Sequence, residues 1–265
     1  AQFMYRCTKL AEEYGFAQST VATFSVPTFM SSGSYQKFRN WWYSQYKYQG
    51  GFLFQASHFA DVSGRWGISY TVWNSPGKTD GKDDLPIRLT DVKDFEVEET
   101  GTKTVYNSDG REASKWVREL VKHLKGVDAP QMTSGLKVVG KGPCTLPTVN
   151  FGFMADKSNC VMYSNDETYL LSSGSSRNRG FPTAPANWRR AVALYGARKL
   201  VQETWDTQKD EYLAPDETDP GYSQWVDVCH VYAMLHRHNN CTAMRDVSYA
   251  NKTWRIKNHW FWLTK

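Results

Sequence analysis

Residues 19–74 constrain the fold most tightly, because helix and strand signals follow one another there in a fixed order. The run STVATFSVP (19–27) is β-prone and is ended by Pro27, which marks a strand leading into a loop. SYQKFRNWWYSQYK follows, with Ser34 placed as an N-cap, and predicts an aromatic-rich helix broken at Gly50-Gly51. GFLFQASHF and WGISYTVW then read as two strands joined by a polar turn near Asp61–Arg65, an antiparallel hairpin. Upstream, Phe3, Leu10 and Tyr14 fall at near-helical spacing, with Gly15 as a stop. The order helix, strand, helix, strand, strand predicts an α/β fold.

Beyond Asn74 the signals weaken. Residues 74–94 are rich in Gly, Pro, Lys and Asp and read as a loop; FEVEETGTKTVYN reads as an exposed hairpin turned at Thr100-Gly101. REASKWVRELVKHLKG (111–126) is amphipathic, with Trp116, Leu120 and Leu124 on one stripe. Residues 127–187 promise short strands among turn residues. NWRRAVALYGARKLVQETW and QWVDVCHVYAMLHRH predict two helices separated by an acidic loop, and VSYANKTWRIKNHWFWL closes with short strands. Three regions result: 1–74, 75–186 as a variable insertion, and 187–265 as a helical C-terminal region.

Composition narrows the class. A chain of 265 residues with 40% apolar and 22% charged residues can build a sizeable core, so wholesale disorder is excluded. A net charge of +5 permits a nucleic-acid partner without requiring one. The five cysteines, Cys7, Cys144, Cys160, Cys229 and Cys241, are odd in number and irregularly spaced, which points to free thiols and a cytoplasmic protein. No apolar run approaches the roughly 18 residues of a membrane span, so no membrane partner is expected.

The common catalytic signatures, GxSxG, the P-loop and HExxH, are absent, and no catalytic residue is assigned. The glycines of 135–142 lack the strand–turn–helix setting of a cofactor loop and read as turns. Cys229, His230, His236, His238 and Cys241 lie close in sequence, but their spacing matches no zinc pattern; helix-end histidines are the simpler reading, and no metal is assigned. Asp219-Pro220-Gly221-Tyr222 follows an acidic loop rather than an apolar strand and reads as a turn before a helix. Lys37 and Arg39 sit among aromatics, Arg177 and Arg179 lie in a Ser/Gly/Asn loop, and Arg245 flanks the terminal strands. Singly, each reads as a solvated charge; together they suit phosphate contact.

The block 19–74 resembles the segment that follows the catalytic tetrapeptide in N6-adenine DNA methyltransferases of restriction-modification systems. The matching pieces are TFSVPTFM, the helix carrying Phe38-Arg39, the strand ending GFLFQASHF, a polar turn, and GISYTVW. The helix AQFMYRCTKLAEEYG, DEYLAP, DVCHVYAMLHRHNNCTAMRDV and KTWRIKNHWFW look like further parts of large members, whereas 75–185 matches nothing. The resemblance implies the C-terminal half of a Rossmann-like methyltransferase sheet, its last strands antiparallel, with a mixed α+β recognition region. It implies that Phe59 stacks on the flipped target base, with His58 beside it and Arg65 and Trp66 near the DNA. The family's glycine-rich donor loop and its Asn/Asp/Ser-Pro-Pro-Tyr/Phe tetrapeptide are absent. S-adenosylmethionine binding and methyl transfer are therefore expected only with a complementary half or subunit, and double-stranded DNA is the expected partner. A catalytically inert DNA-binding or scaffolding subunit with a degenerate methyltransferase fold is the alternative.

Overall fold

A computed structural model describes residues 1–59, 62, 64, 66–80, 84–94, 96–122, 152–155, 159–163, 168–171, 180–184, 186–236, 238 and 244–256. The glycine-bearing stretch 135–142, Cys144 and Cys241 lie outside these residues. The chain divides into two compact units, the first formed by 1–112 with 160–162 and 203–212, the second by the remainder. The first unit thus extends beyond residue 74 to take in two further strands.

In the first unit, α1 (Gln2–Glu13) ends at a glycine, Gly15, in the left-handed region at φ 70°. It leads into β1 (Ser19–Ser25). A short turn of helix, α2 (Thr28–Ser31), and a 3-10 turn precede α3 (Gln36–Gln45). Ser34 is not the N-cap expected from sequence; Ser32 holds the turn instead, its hydroxyl accepting from the Ser34 amide at 3.4 Å. Nor do Gly50 and Gly51 break the helix. They lie inside β2 (Lys47–Gln55), paired with Val72 and Thr71 of β3 (Gly67–Ser75), because cross-strand pairing overrides their weak local preference. The stretch read as a loop contains β4 (Leu85–Lys93), and the segment read as a hairpin is one bulged strand, β5 (Glu96–Val105), antiparallel to β4.

These strands form a mixed sheet in the order β1-β3-β2-β4-β5. β3 is antiparallel to both β1 and β2, so β1 and β2 run parallel to each other, and β4 runs parallel to β2. Alternation divides the residues between the faces. Val21, Leu53 and Trp73 join Met4, Phe29, Trp42, Tyr43 and Tyr46 in one buried cluster. Trp42 stacks on Tyr46 at 3.8 Å, and the Tyr46 hydroxyl lies 3.0 Å from the Thr8 hydroxyl of α1. The other face carries Phe24, Phe52, Phe54 and Tyr70.

The second unit holds α4 (Ala113–Glu119), a small antiparallel sheet of β6 (Gly152–Ala155), β7 (Tyr169–Leu171) and β8 (Gly180–Thr183) with β6 central, the packed pair α5 (Trp188–Leu200) and α6 (Tyr222–Leu235), and the hairpin β9 (Met244–Tyr249)–β10 (Lys252–Ile256). Gly196 lets α5 and α6 approach closely: a Cβ there would lie 2.4 Å from the Cys229 sulfur. Burial pushes the Cys229 thiol up to about 12, so this cysteine serves packing. Gly196→Ala is expected to cost about 1–3 kcal/mol in chemical denaturation, with part recovered in the Gly196→Ala/Cys229→Ala double variant. An unchanged midpoint for the single variant would contradict this packing. No helix among the described residues is long and apolar enough to cross a membrane.

Candidate functional site

In sheets with parallel strands, ligands gather beyond the carboxyl ends of those strands, where loops diverge and backbone groups are unpaired. Here the parallel strands β1, β2 and β4 end on one side of the sheet. At the end of β1 stands Phe24, 54% exposed; beyond β2 a 3-10 turn, Ala56–His58, presents Phe59, 44% exposed. Other large aromatics of the chain are exposed too, Phe3, Tyr14 and Phe16 among them, and what sets Phe24 and Phe59 apart is their shared place at the carboxyl ends of the parallel strands. Phe59 meets Phe24 edge-on at 6.1 Å and Phe54 at 5.4 Å. Phe54, 8% exposed, forms the floor against which both rings are set.

The turn is held in place from two sides. The Ala56 amide donates to the Trp66 carbonyl at 2.8 Å, closing the β2–β3 connection, and the Phe59 amide donates to Ala56 at 3.0 Å. His58 Nε2 lies 3.1 Å from an Asp91 carboxylate oxygen on β4, and the His58 ring packs near Phe54. Asp91 thus fixes the histidine next to Phe59, a role invisible in a stretch that reads as a loop. A recess of about 460 Å³ adjoins Phe24 on its other side, lined by Thr23, Ser25, Thr28, Phe29 and Tyr35. The assembly offers exposed aromatic ring faces, hydroxyls and one orientable imidazole. That is equipment for holding a flat ring, and among the described residues no nucleophile stands beside a base there.

The basic residues fare differently. Lys37 is exposed on the first turn of α3. Arg39 is fully buried: its guanidinium donates to the Phe29 and Ser32 carbonyls at 3.0 and 2.9 Å and pairs with the Asp109 carboxylate. This corrects the reading of Arg39 as a phosphate contact, since all its outlying nitrogens are spent on holding the β1–α3 connection. Trp66 is half-buried at the entrance to β3, at the same end as Phe59. Arg65, Arg177 and Arg179 lie outside the described residues, as does the side chain of Arg245, whose backbone is in β9.

In the histidine-rich segment each described histidine has its own side-chain partner, and His236 and His238 also meet, their rings 5.1 Å apart and the His238 amide donating to His236 Nδ1 at 3.2 Å. His230 Nε2 accepts from the Trp188 indole at 3.1 Å, His236 Nδ1 is 2.7 Å from the Tyr195 hydroxyl, and His238 Nδ1 is 3.0 Å from the Lys199 ammonium. Among the described residues, no three His, Cys, Asp or Glu side chains are gathered for a metal ion. Asp219 makes a local turn, accepting from the Gly221 amide at 2.7 Å just before α6.

The connection from β1 to α3 is also the place to look for a nucleotide-type donor cradle. It contains one glycine, Gly33, and a Cβ there would lie 2.5 Å from a Glu112 carboxylate oxygen. A single glycine packed against Glu112 is not a glycine-rich turn, so this connection does not provide one. Comparison of the chain with protein-family models, with curated protein sequences and with solved structures found no match.

Proposed function

We propose that this chain is the target-base-binding and DNA-contacting part of an S-adenosylmethionine-dependent adenine DNA methyltransferase, with the donor site and methyl transfer supplied by a complementary half or subunit. The observation that carries the proposal is the exposed aromatic group Phe24–Phe54–Phe59 beyond the carboxyl ends of β1 and β2. A base removed from a duplex loses its stacking, and an exposed ring held on a rigid floor restores it. Phe59 is the aromatic that follows the penultimate strand of the resemblance, and it is 44% exposed. One feature of the strand order supports the same reading: β3 inserts between β1 and β2 and is antiparallel to both, as the closing strand of a Rossmann-like methyltransferase sheet would, whereas β4 and β5, which continue the sheet beyond β2, have no counterpart in the resemblance. Among the described residues β1 pairs only with β3, so its outer edge is open to a strand from a complementary half. A cytoplasmic enzyme with exposed Lys37, Trp66 near the base site, and the arginines of the sequence reading as phosphate contacts completes the proposal.

The test is the composition of the native complex carrying this chain. Intact mass and subunit analysis should find a polypeptide with the glycine-rich donor loop and the Pro-Pro-Tyr/Phe tetrapeptide, and that complex should transfer a labelled methyl group to adenine in DNA. A native species that lacks those motifs and neither binds the donor nor DNA would overturn the proposal.

A further inference from the structure

A second recess opens on the aromatic face of the same sheet, toward the amino-terminal end of β2 and away from Phe59. It is an open groove of about 630 Å³, within the size range of small-molecule sites, bordered by Gln49, Gly50, Phe52, Tyr70, Val72 and Arg88. Its origin lies in the backbone. β2 is bulged between Tyr48 and Gly50, and its ladder with β4 is confined to Phe52–Arg88 and Leu53–Leu89. Upstream of that ladder the strands diverge, and Pro86 brings no N–H to close the gap. At Gly50 a side chain would have covered the opening. The residue sits at φ 134°, where L side chains are strained, and a Cβ built there meets nothing within 4 Å.

The recess has an aromatic side and a polar edge. Phe52 and Tyr70 lie with their rings at 5.2 Å and 28°, a near-parallel pair partly open to solvent. At the rim, the Arg88 guanidinium and the Glu99 carboxylate stand 3.7 Å apart, both more than half exposed. This loose pair leaves a donor and an acceptor side by side, with the Gln49 amide and Thr102 hydroxyl nearby. An acyl chain would desolvate Arg88 and Glu99 without returning a hydrogen bond, and free phosphate would meet the Glu99 charge. A flat ring with adjacent acceptor and donor atoms on its edge satisfies both the aromatic side and the rim.

We propose that this recess binds a purine base, stacked on the open side of the Phe52–Tyr70 pair and its edge toward Arg88 and Glu99. Phe59 does not line this recess, although Phe24 links the two places, lying 4.7 Å from Tyr70 and 6.1 Å from Phe59, and the assignment does not rest on the methyltransferase reading. The base could belong to a free nucleotide or to a nucleic-acid strand, and the same chemistry serves both.

Calorimetric titration of the full chain with GMP, AMP, CMP and ribose 5-phosphate, and separately with a short purine oligonucleotide, tests the assignment. A purine nucleotide should bind more tightly than CMP, and ribose 5-phosphate should not bind. Arg88→Ala, at an exposed position, should weaken purine binding about tenfold, the loss expected for one charge-assisted hydrogen bond. Thr102→Trp, also exposed, should fill the recess and abolish binding, with both variants retaining the wild-type thermal midpoint. Binding of the oligonucleotide alone, with the same response to the variants, would identify a strand as the source of the base. Absence of binding by every purine ligand at about 5 mM, or binding unaffected by both variants, would overturn the proposal. So would binding lost in Phe59→Ala and retained in Arg88→Ala and Thr102→Trp, which would place the base at the other end of the sheet.

Discussion

Arg39→Met is expected to lower the unfolding free energy by about 3–5 kcal/mol, the largest effect of any charged-residue replacement in the first unit. The reasoning starts from burial. The Arg39 side chain is wholly inaccessible and Asp109 is 14% exposed, so neither charge is relieved by water. The guanidinium also satisfies the Phe29 and Ser32 carbonyls, which lie within α2 and at its C-cap. Methionine fills a similar volume but leaves a carboxylate and two carbonyl oxygens without their donor. The cost is that of the orphaned groups rather than the worth of the pair itself. Arg39→Met/Asp109→Leu should therefore recover a substantial part of the loss, and denaturant titration of the two single variants and the double variant measures the coupling. A single variant as stable as wild type would mean that the β1–α3 connection is held by something other than this pair.

Trp73→Ala should be comparably damaging, at about 3–5 kcal/mol. Trp73 is the central residue of the buried face: Tyr43 stacks on it at 5.5 Å, Tyr48 lies at 4.9 Å, and Phe29 and Trp42 reach it at 6.1 and 6.0 Å. Its indole N–H donates to the Thr71 hydroxyl at 2.9 Å, and Thr71 is itself fully buried. Alanine would leave a cavity ringed by aromatics too large to collapse into it, and a buried hydroxyl short of one partner. The opposite face of the same strands should behave differently. Phe24→Ala, at an exposed position, should cost under about 1 kcal/mol. Equal destabilisation by the two replacements would contradict the division of the sheet into a buried and an open face.

The two faces explain which parts of the fold were legible in the sequence. β1 and β3 were readable because residues that meet the helices alternate with residues that do not, and Pro27 marked a stop. α1 and α3 were readable from apolar spacing, although the cap fell at Ser32 rather than Ser34. β4 was not readable. Pro86, Arg88 and Asp91 carry loop chemistry, and the strand is held by partners on β2 and β5 that no local window contains. Gly50-Gly51 misled for the same reason: a pair that would break an isolated helix is retained in a strand because β3 supplies its ladder. Arg39 misled most, because a charge among aromatics reads as surface, and its burial depends on a carboxylate 70 residues away. At the candidate site, Phe59 and His58 came into view only through the family resemblance. Phe24 could have been noticed as a large aromatic out of phase with the buried Val21, whereas Asp91 could be found only once β4 was known to lie beside β2.

The most direct test of the central claim is the affinity of this chain for a DNA duplex bearing one unpaired adenine, against the same duplex fully paired. Fluorescence anisotropy at two salt concentrations should be used, with wild type and Phe59→Ala side by side. The account predicts tighter binding to the unpaired adenine, and a loss of about 1–3 kcal/mol of that preference in Phe59→Ala, the size of one base–aromatic stack. Binding to the paired duplex and its salt dependence should be the same in both proteins, since phosphate contacts set them. Equal affinity for the two duplexes in wild type, or a preference that survives Phe59→Ala, would contradict the assignment of this aromatic group as a base-holding site.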